Sequence, residues 1–337
     1  MKILILKPSS LGDVVQALPV LRLLKQHLPK SEIYWWIDAG LEGFLQNDPD
    51  LAGTIRFERK RWASPLHWDE MFRSIRDLRR QHFDLVIDLQ GLARSGVFAW
   101  LANGDHTIGV DDPREGATCF YDETVRRPSA HTHAVDWYLE ILHRLGIPVH
   151  KNFTWFPENP LTKGALELKW KTNSSRWITI NPGARWNNKL WPAEYYTEVV
   201  RQLSAKSDFK FAILGDRSST HLAEEISAGA PDRCLDLTGQ TSLREMIEWL
   251  RLSELTITND TGPMHVAAAL GKPVVAIFGP TEPRRTGPYG QIDTALRVSL
   301  PCAPCMKSTC ANSKPLECLR AISPFRVCQE VQRHLKF

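Results

Sequence analysis

Short apolar runs rich in β-branched residues alternate with segments of helical period, and this alternation passes through the chain twice. The first series is Ile3–Leu6, Ile33–Ile37, Thr54–Phe57, Leu85–Leu89 and Thr107–Val110. The second is Trp177–Asn181, Lys210–Leu214, Cys234–Leu237, Leu255–Thr258 and Val274–Phe278. A strand, a helix and a further strand in succession imply right-handed crossovers, so each series predicts a parallel sheet covered on both faces. Between the series, Lys151–Ser175 is rich in Pro, Asn, Lys and Thr and reads as an interdomain connection. The expected fold class is α/β, with two doubly wound, Rossmann-like domains facing each other across a cleft. The expected division is residues 1–160, a linker over 161–175, residues 176–322, and a closing helix over 323–337 that packs back on the first domain. Ligands of such sheets bind beyond the carboxyl ends of the strands.

A chain of 337 residues that is 43% hydrophobic can supply two cores. No run of eighteen apolar residues occurs, and Met1–Lys7 is too short and too soon followed by polar residues to be a secretion signal, which predicts a cytoplasmic protein. The net charge of +4 is unevenly spread. Between Arg56 and Arg80 stand eight Lys or Arg against four acids, with Trp62, Trp68 and Phe72 interleaved. Such a surface suits an anionic partner such as a phosphorylated glycolipid or a bilayer. No nucleic-acid-binding motif accompanies the charge, so nucleic acid is not an expected partner.

Three loops carry candidate chemistry. Leu255–Asn259 ends on Asp260-Thr261-Gly262-Pro263, where a helix begins at once. The unpaired N–H groups and dipole of a helix start attract anions, Pro263 suits the first turn, and Asp260 can accept bonds from hydroxyls. His265 lies one turn along the same helix. After Trp177–Asn181, the loop Pro182-Gly183-Ala184-Arg185 leads to Lys189-Leu190-Trp191-Pro192; Gly183 permits a tight turn, while Arg185 and Lys189 can reach a phosphate. After Ile3–Leu6, the loop holds Ser9, Ser10 and Gly12 as donors and Asp13 as a carboxylate at the mouth of the sheet. With one glycine, this loop lacks the dinucleotide fingerprint, and the chain has no GxxxxGK[ST] sequence, which disfavours nicotinamide, flavin and P-loop chemistry. Cys302, Cys305, Cys310 and Cys318 have spacing that can gather four thiolates around a structural zinc ion, with free thiols or an oxidation-prone pair as the alternatives.

Taken in order, Ser9-Ser-Leu-Gly-Asp13, Val86-Ile-Asp-Leu-Gln-Gly-Leu92, the Pro182–Arg185 loop ending in Lys189–Pro192, and Asn259-Asp-Thr-Gly-Pro-Met-His265 resemble the bacterial lipopolysaccharide heptosyltransferases, glycosyltransferase family 9. The resemblance implies the GT-B fold, with a nucleotide-sugar donor on the C-terminal half and the acceptor on the N-terminal half. It implies inverting transfer of heptose from ADP-L-glycero-D-manno-heptose to the lipopolysaccharide inner core at the cytoplasmic face of the inner membrane, with no metal required for catalysis. Asp13 is then the general base. Gly183, Arg185, Lys189, Asp260, Thr261, Gly262 and His265 form the donor side, and Ser9, Ser10, Gly12, Arg59, Lys60 and Arg61 the acceptor side. The first two motifs look most like the enzyme that adds the first heptose to Kdo on lipid A, whereas the cysteine cluster looks like relatives that add the second. Another GT-B sugar-nucleotide enzyme and a non-catalytic nucleotide- or glycolipid-binding module are the alternatives. One departure stands out: relatives place a nucleoside-contacting acid shortly after the strand matching Phe211–Leu214, whereas here no acid stands at that spacing, and Asp216 and Glu224 are the candidates to replace it.

Overall fold

The computed structural model describes residues 1–172 and 175–336. Asn173 and Ser174, within the predicted linker, and Phe337, the last residue of the predicted closing helix, lie outside the described residues. The chain divides into two compact units, Met1–Pro157 and Glu158–Phe337.

The first unit runs β1 (Lys2–Leu6), α1 (Leu11–His27), β2 (Glu32–Asp38), α2 (Glu42–Leu45), β3 (Gly53–Phe57), α3 (Trp68–Arg80), β4 (Leu85–Asp88), α4 (Ala93–Ala102), β5 (His106–Asp111), β6 (Glu123–Arg126) and α5 (Ala134–Arg144). Its strands form one parallel sheet in the order β3-β2-β1-β4-β5-β6. All five predicted strands are present, and β6 is an addition. The apolar runs of β1 and β4 are buried because helices cover both faces of a parallel sheet. Trp36 anchors one face, with ring centroids 4.3 Å from Phe57 and 4.7 Å from Phe98. Chain order reverses between β1 and β4, which makes the loops after these strands the switch point of the sheet.

The second unit repeats the plan with α6 (Pro160–Trp170), β7 (Trp177–Asn181), α7 (Ala193–Ser204), β8 (Lys210–Ile213), α8 (Thr220–Ser227), β9 (Cys234–Asp236), α9 (Leu243–Leu252), β10 (Leu255–Asn259), α10 (Gly262–Ala269), β11 (Val274–Ile277), α11 (Pro283–Thr286), β12 (Ala295–Leu296), α12 (Glu317–Arg320) and α13 (Pro324–Leu335). Its parallel sheet has the order β12-β11-β10-β7-β8-β9, so the switch point falls between β7 and β10. The predicted strands again all appear, joined by the two-residue β12.

Two boundaries differ from expectation. Most of the predicted linker is α6, which starts where Asn159 caps it by accepting from the Thr162 N–H at 3.0 Å and Pro160 fills the first helical position. α6 packs on α9 and belongs to the second unit. The closing helix belongs to the second unit. Val327, Cys328 and Val331 of α13 enter the second core beside Ile257, Val275 and Val199, so its apolar stripe covers the second sheet. Among the described residues, no helix is long and apolar enough to cross a membrane.

Candidate active site

At the switch point of the first sheet, the loop after β1 turns into α1 through a cis peptide between Ser9 and Ser10. Asp13 occupies the third position of α1, where one carboxylate oxygen accepts from the Ser10 N–H (2.8 Å) and hydroxyl (2.7 Å). This capping box fixes the carboxylate and neutralises part of the helix start. Every residue from Gly12 to Leu24 is buried except Asp13, which is half-buried. Ser9 is also half-buried and Ser10 exposed. Thus the sequence-predicted Ser9, Ser10, Gly12 and Asp13 stand together at the carboxyl edge of β1.

Groups that the sequence did not single out complete this corner. Lys7 is 3% exposed and crosses the switch point to donate to the Leu89 carbonyl at 2.8 Å, with its ammonium 4.7 Å from the Tyr138 ring centroid. Burial works to lower its pKa, but Tyr138, Asp13 and Asp88 outweigh that and raise it, so the ammonium stays charged. Asp88 is wholly buried, which raises its pKa against the pull of its hydrogen bonds. It accepts from the Gln90 N–H (2.7 Å), the Gly91 N–H (3.2 Å) and the Tyr121 hydroxyl (2.7 Å). Gly91 is required there: its φ is +68°, and an added Cβ would meet Val110 at 2.8 Å. The Val86–Leu92 motif is thereby a rigid brace for the Asp13 loop.

Arg59, Lys60 and Arg61 are exposed in the loop after β3, and Arg61 pairs with Glu70. Trp62, expected on this surface, is instead buried against Phe57 and stacks on Phe98, because the loop folds its one inward-facing ring into the core. A 650 Å³ cavity lies beside β3 and α3, but its walls carry Glu42, Glu58, Glu70 and Asp77 against Arg56 and Arg73. Such a lining repels anions, so the basic stretch acts outside this cavity.

In the second unit, Lys189 and Asp260 meet across the switch point. The Lys189 ammonium donates to Asp260 Oδ2 at 2.6 Å, with side-chain exposures of 18% and 6%. Thr281 donates to the same oxygen at 2.6 Å, and the ammonium lies 4.8 Å from the Trp186 ring centroid. Asn259 holds the two loops together: its amide donates to the Pro182 carbonyl (2.6 Å), and its Oδ1 accepts from the Trp191 N–H (3.2 Å) and the Tyr196 hydroxyl (3.0 Å). Thr261 is the N-cap of α10, yet its hydroxyl turns to Thr258 Oγ1 (3.2 Å) rather than to the helix N–H groups. A helix start beside Lys189 is therefore available to an anion. Gly262 opens α10, and His265 is buried in its first turn. Arg185 is exposed on the same loop as Lys189. Gly183 has no left-handed φ; its Cα faces Ser219, whose Oγ would lie 2.8 Å from an added Cβ, so the loops after β7 and β8 approach closely here.

Asp216 and Glu224 take different places. Asp216 caps the turn after β8, accepting from the Ser218 N–H at 3.0 Å, and Glu224 lies on the solvent face of α8. The sequence missed Glu282, which is 7% exposed and bound by Arg284 (3.1 Å) and Arg297 (3.2 Å). Burial works to raise its pKa, but these arginines and the Arg284 N–H hold it at about 2.

Cys302, Cys305, Cys310 and Cys318 all line one 430 Å³ cavity, together with Asn188. All four are free thiols. N–H groups of Leu316 and Asn312 lower the Cys310 pKa, whereas burial and the other three cysteines raise that of Cys318. The Asn188 amide donates to the Lys307 carbonyl at 2.7 Å, which ties this loop to the one carrying Lys189. Among the described residues, no three His, Cys, Asp or Glu side chains are set to hold a metal ion.

Comparison with known proteins places these features in a family. The chain is 26% identical to lipopolysaccharide heptosyltransferase 1 of Pseudomonas aeruginosa, covering 99% of this chain and 98% of that protein. It is 28% identical to lipooligosaccharide heptosyltransferase 2 of Haemophilus ducreyi, covering 88% and 89%. The solved structure of Escherichia coli ADP-heptose lipopolysaccharide heptosyltransferase II superposes with a TM-score of 0.80 at 23% identity over 100% of this chain and 99% of that one, and so shares its fold. The profile described as Glycosyltransferase family 9 (heptosyltransferase) matches residues 71–315, and the chain belongs to that family.

Proposed function

We propose that the protein transfers L-glycero-D-manno-heptose from ADP-heptose to the lipopolysaccharide inner core, with inversion, at the cytoplasmic face of the inner membrane. The observation that carries this reading is the partly buried Lys189–Asp260 pair at the start of α10. An ammonium, first-turn N–H groups and a nearby Arg185 offer charge to a departing diphosphate, while Asp260, oriented by Thr281, accepts from sugar hydroxyls. In the displacement, the bond between the anomeric carbon and the diphosphate oxygen breaks as the acceptor oxygen bonds to that carbon. ADP leaves with the electron pair, and Asp13 takes the acceptor proton. Proton transfer of this kind contributes about 10²–10⁴-fold, and one preorganised donor on the leaving group about 3–4 kcal/mol. Since the chain's own cations can neutralise the diphosphate, we propose a reaction that needs no metal. Chelator-treated protein should keep its rate; loss of activity restored by a divalent ion would refute this part.

For the acceptor, we propose Kdo on lipid A, with exposed Arg59 and Lys60, and Arg61 beside Glu70, meeting its carboxylates and phosphates. The second reading is addition of the second heptose, favoured by relatives of both names at similar identity. Purified protein assayed with ADP-heptose and each of the two defined acceptors tests both. Transfer to the Kdo acceptor alone supports the first reading, transfer to the heptosylated acceptor alone the second. Binding of ADP-heptose with no transfer to either would make the protein a binding module, and preference for another sugar nucleotide would make it a different GT-B enzyme. A structural zinc ion on Cys302, Cys305, Cys310 and Cys318 is a separate proposal. The donor chemistry fits zinc, but the arrangement of the described residues does not form a ligand set. Elemental analysis of untagged protein tests it: about one zinc per chain supports the site, and a content near zero removes it.

A further inference from the structure

The segment from Arg56 to Arg80 has a charge surplus equal to the whole chain's +4. The same region gathers large apolar side chains in water: Leu66 is 85% exposed, Trp68 47% and Phe72 60%, and Trp100 of the adjoining α4 is 61% exposed. These are four of the nine exposed large hydrophobics among the described residues. α3 already has a core face, formed by Met71, Ile75 and Leu78. Trp68 and Phe72, four residues apart, share its outer flank, so their exposure is not a by-product of packing. Arg76, Arg79 and Arg80, all exposed, follow them toward the C-terminal end of the same helix. The three acids on this helix are all paired, Asp69 with Arg73 at 2.7 Å, Glu70 with Arg61 of the preceding loop, and Asp77 with Arg76 and Arg80 at 3.8 and 3.9 Å. Arg79 donates to Asn103 Oδ1 at 3.4 Å, which links the C-terminal end of α3 to the end of α4.

We propose that this face docks on a bilayer surface rich in anionic phospholipid. Leu66, Trp68, Phe72 and Trp100 enter the headgroup region, and Arg76, Arg79 and Arg80 lie along the phosphates. A helix whose outward flank mixes Trp and Phe with arginines suits the interface, where rings meet acyl carbon while guanidinium groups reach anionic headgroups. A neutral protein partner would account for the aromatic residues but not for the run of Arg76, Arg79 and Arg80 beside them. The proposal rests on the reading above only in giving the acceptor a membrane home.

Vesicle co-sedimentation with full-length protein tests it. Wild-type protein should bind phosphatidylglycerol-containing vesicles at low salt, bind phosphatidylcholine vesicles much less, and be released as salt rises. The triple variant L66S/W68S/F72S should lose at least tenfold in partitioning. R76E/R79E should lose roughly fivefold per position and most of the salt dependence. Both variants should keep the wild-type melting temperature and wild-type rates on a water-soluble, deacylated acceptor. Failure of wild-type protein to bind anionic vesicles, or wild-type binding by the triple variant, would overturn the proposal. So would a patch substitution that changed only self-association. If vesicle binding holds but no acceptor is glycosylated, the transferase reading fails while the docking surface stands.

Discussion

The two sheets place a lysine at the same topological position, and the two lysines are used in opposite ways. Lys7 crosses the first switch point to a backbone carbonyl, is sealed from water, and leaves Asp13 to be held by a serine. Lys189 crosses the second switch point to a carboxylate and stays partly exposed at a helix start. A cation bonded to backbone braces the loops around the carboxylate proposed as the base. A cation bonded to a carboxylate keeps both charges in place until a ligand bearing phosphate and hydroxyls engages each of them. On the proposed function, the same fold serves as a proton-accepting corner in one unit and an anion-holding corner in the other, and the difference lies in what the lysine meets across the switch point.

Substitutions can break this contrast, and the largest effect is expected at Asp13. Asp13→Asn retains an acceptor for Ser10 but cannot take a proton, so turnover should fall by about 10²–10⁴-fold at unchanged melting temperature. A rate within a few-fold of wild type would dismiss the carboxylate as base. Lys189→Ala should weaken ADP-heptose binding by roughly 10²-fold, the equivalent of about 3 kcal/mol. Its counterpart, Lys7→Met, should leave donor affinity unchanged and instead cost about 1–3 kcal/mol in denaturant unfolding, because the buried Leu89 carbonyl loses its donor. Equal effects of the two lysine changes on donor affinity would erase the proposed contrast.

Smaller effects sharpen it. The double reversal R59E/K60E should raise the acceptor KM by about fivefold per residue at low salt while the donor KM stays constant; a shift confined to the donor would move these residues to the other half of the reaction. The smallest effect concerns Glu282. Its carboxyl titrates at about 2 when folded, below its ordinary 4.5, so the stability it contributes is complete above about pH 4.5 and is lost as pH falls toward 2. Glu282→Gln should therefore be less stable than wild type at neutral pH, with the gap closing over that window in acid titrations of unfolding. A gap independent of pH would mean that packing, not charge, makes the difference.

Much of the architecture was readable because buried parallel strands are continuous apolar runs, and ten of the twelve strands announce themselves this way. β6, with the sequence Glu-Thr-Val-Arg, and the two-residue β12 do not, since edge strands need little apolar surface. Asp260 and Thr261 were legible because they follow directly from the end of β10, and Lys189 because it stands with Arg185 in the loop that leaves β7. Lys7 sits at a strand end too, but a lysine there normally reads as solvated, and only the fold of Tyr138 and Leu89 over it reveals its burial. Glu282 and Arg297 are fifteen positions apart, and nothing local predicts that the loop after β11 and the residue after β12 come together. The misplacements share one cause. An apolar stripe in α13, or Trp62 among charges, predicts that a face is covered without saying by what.

Titration of ADP-heptose into the Asp13→Asn variant, with transfer followed in the same samples, tests the division of labour most directly. The account predicts wild-type donor affinity together with almost no transferred heptose. Donor binding lost along with turnover, or transfer at the normal rate, would contradict it.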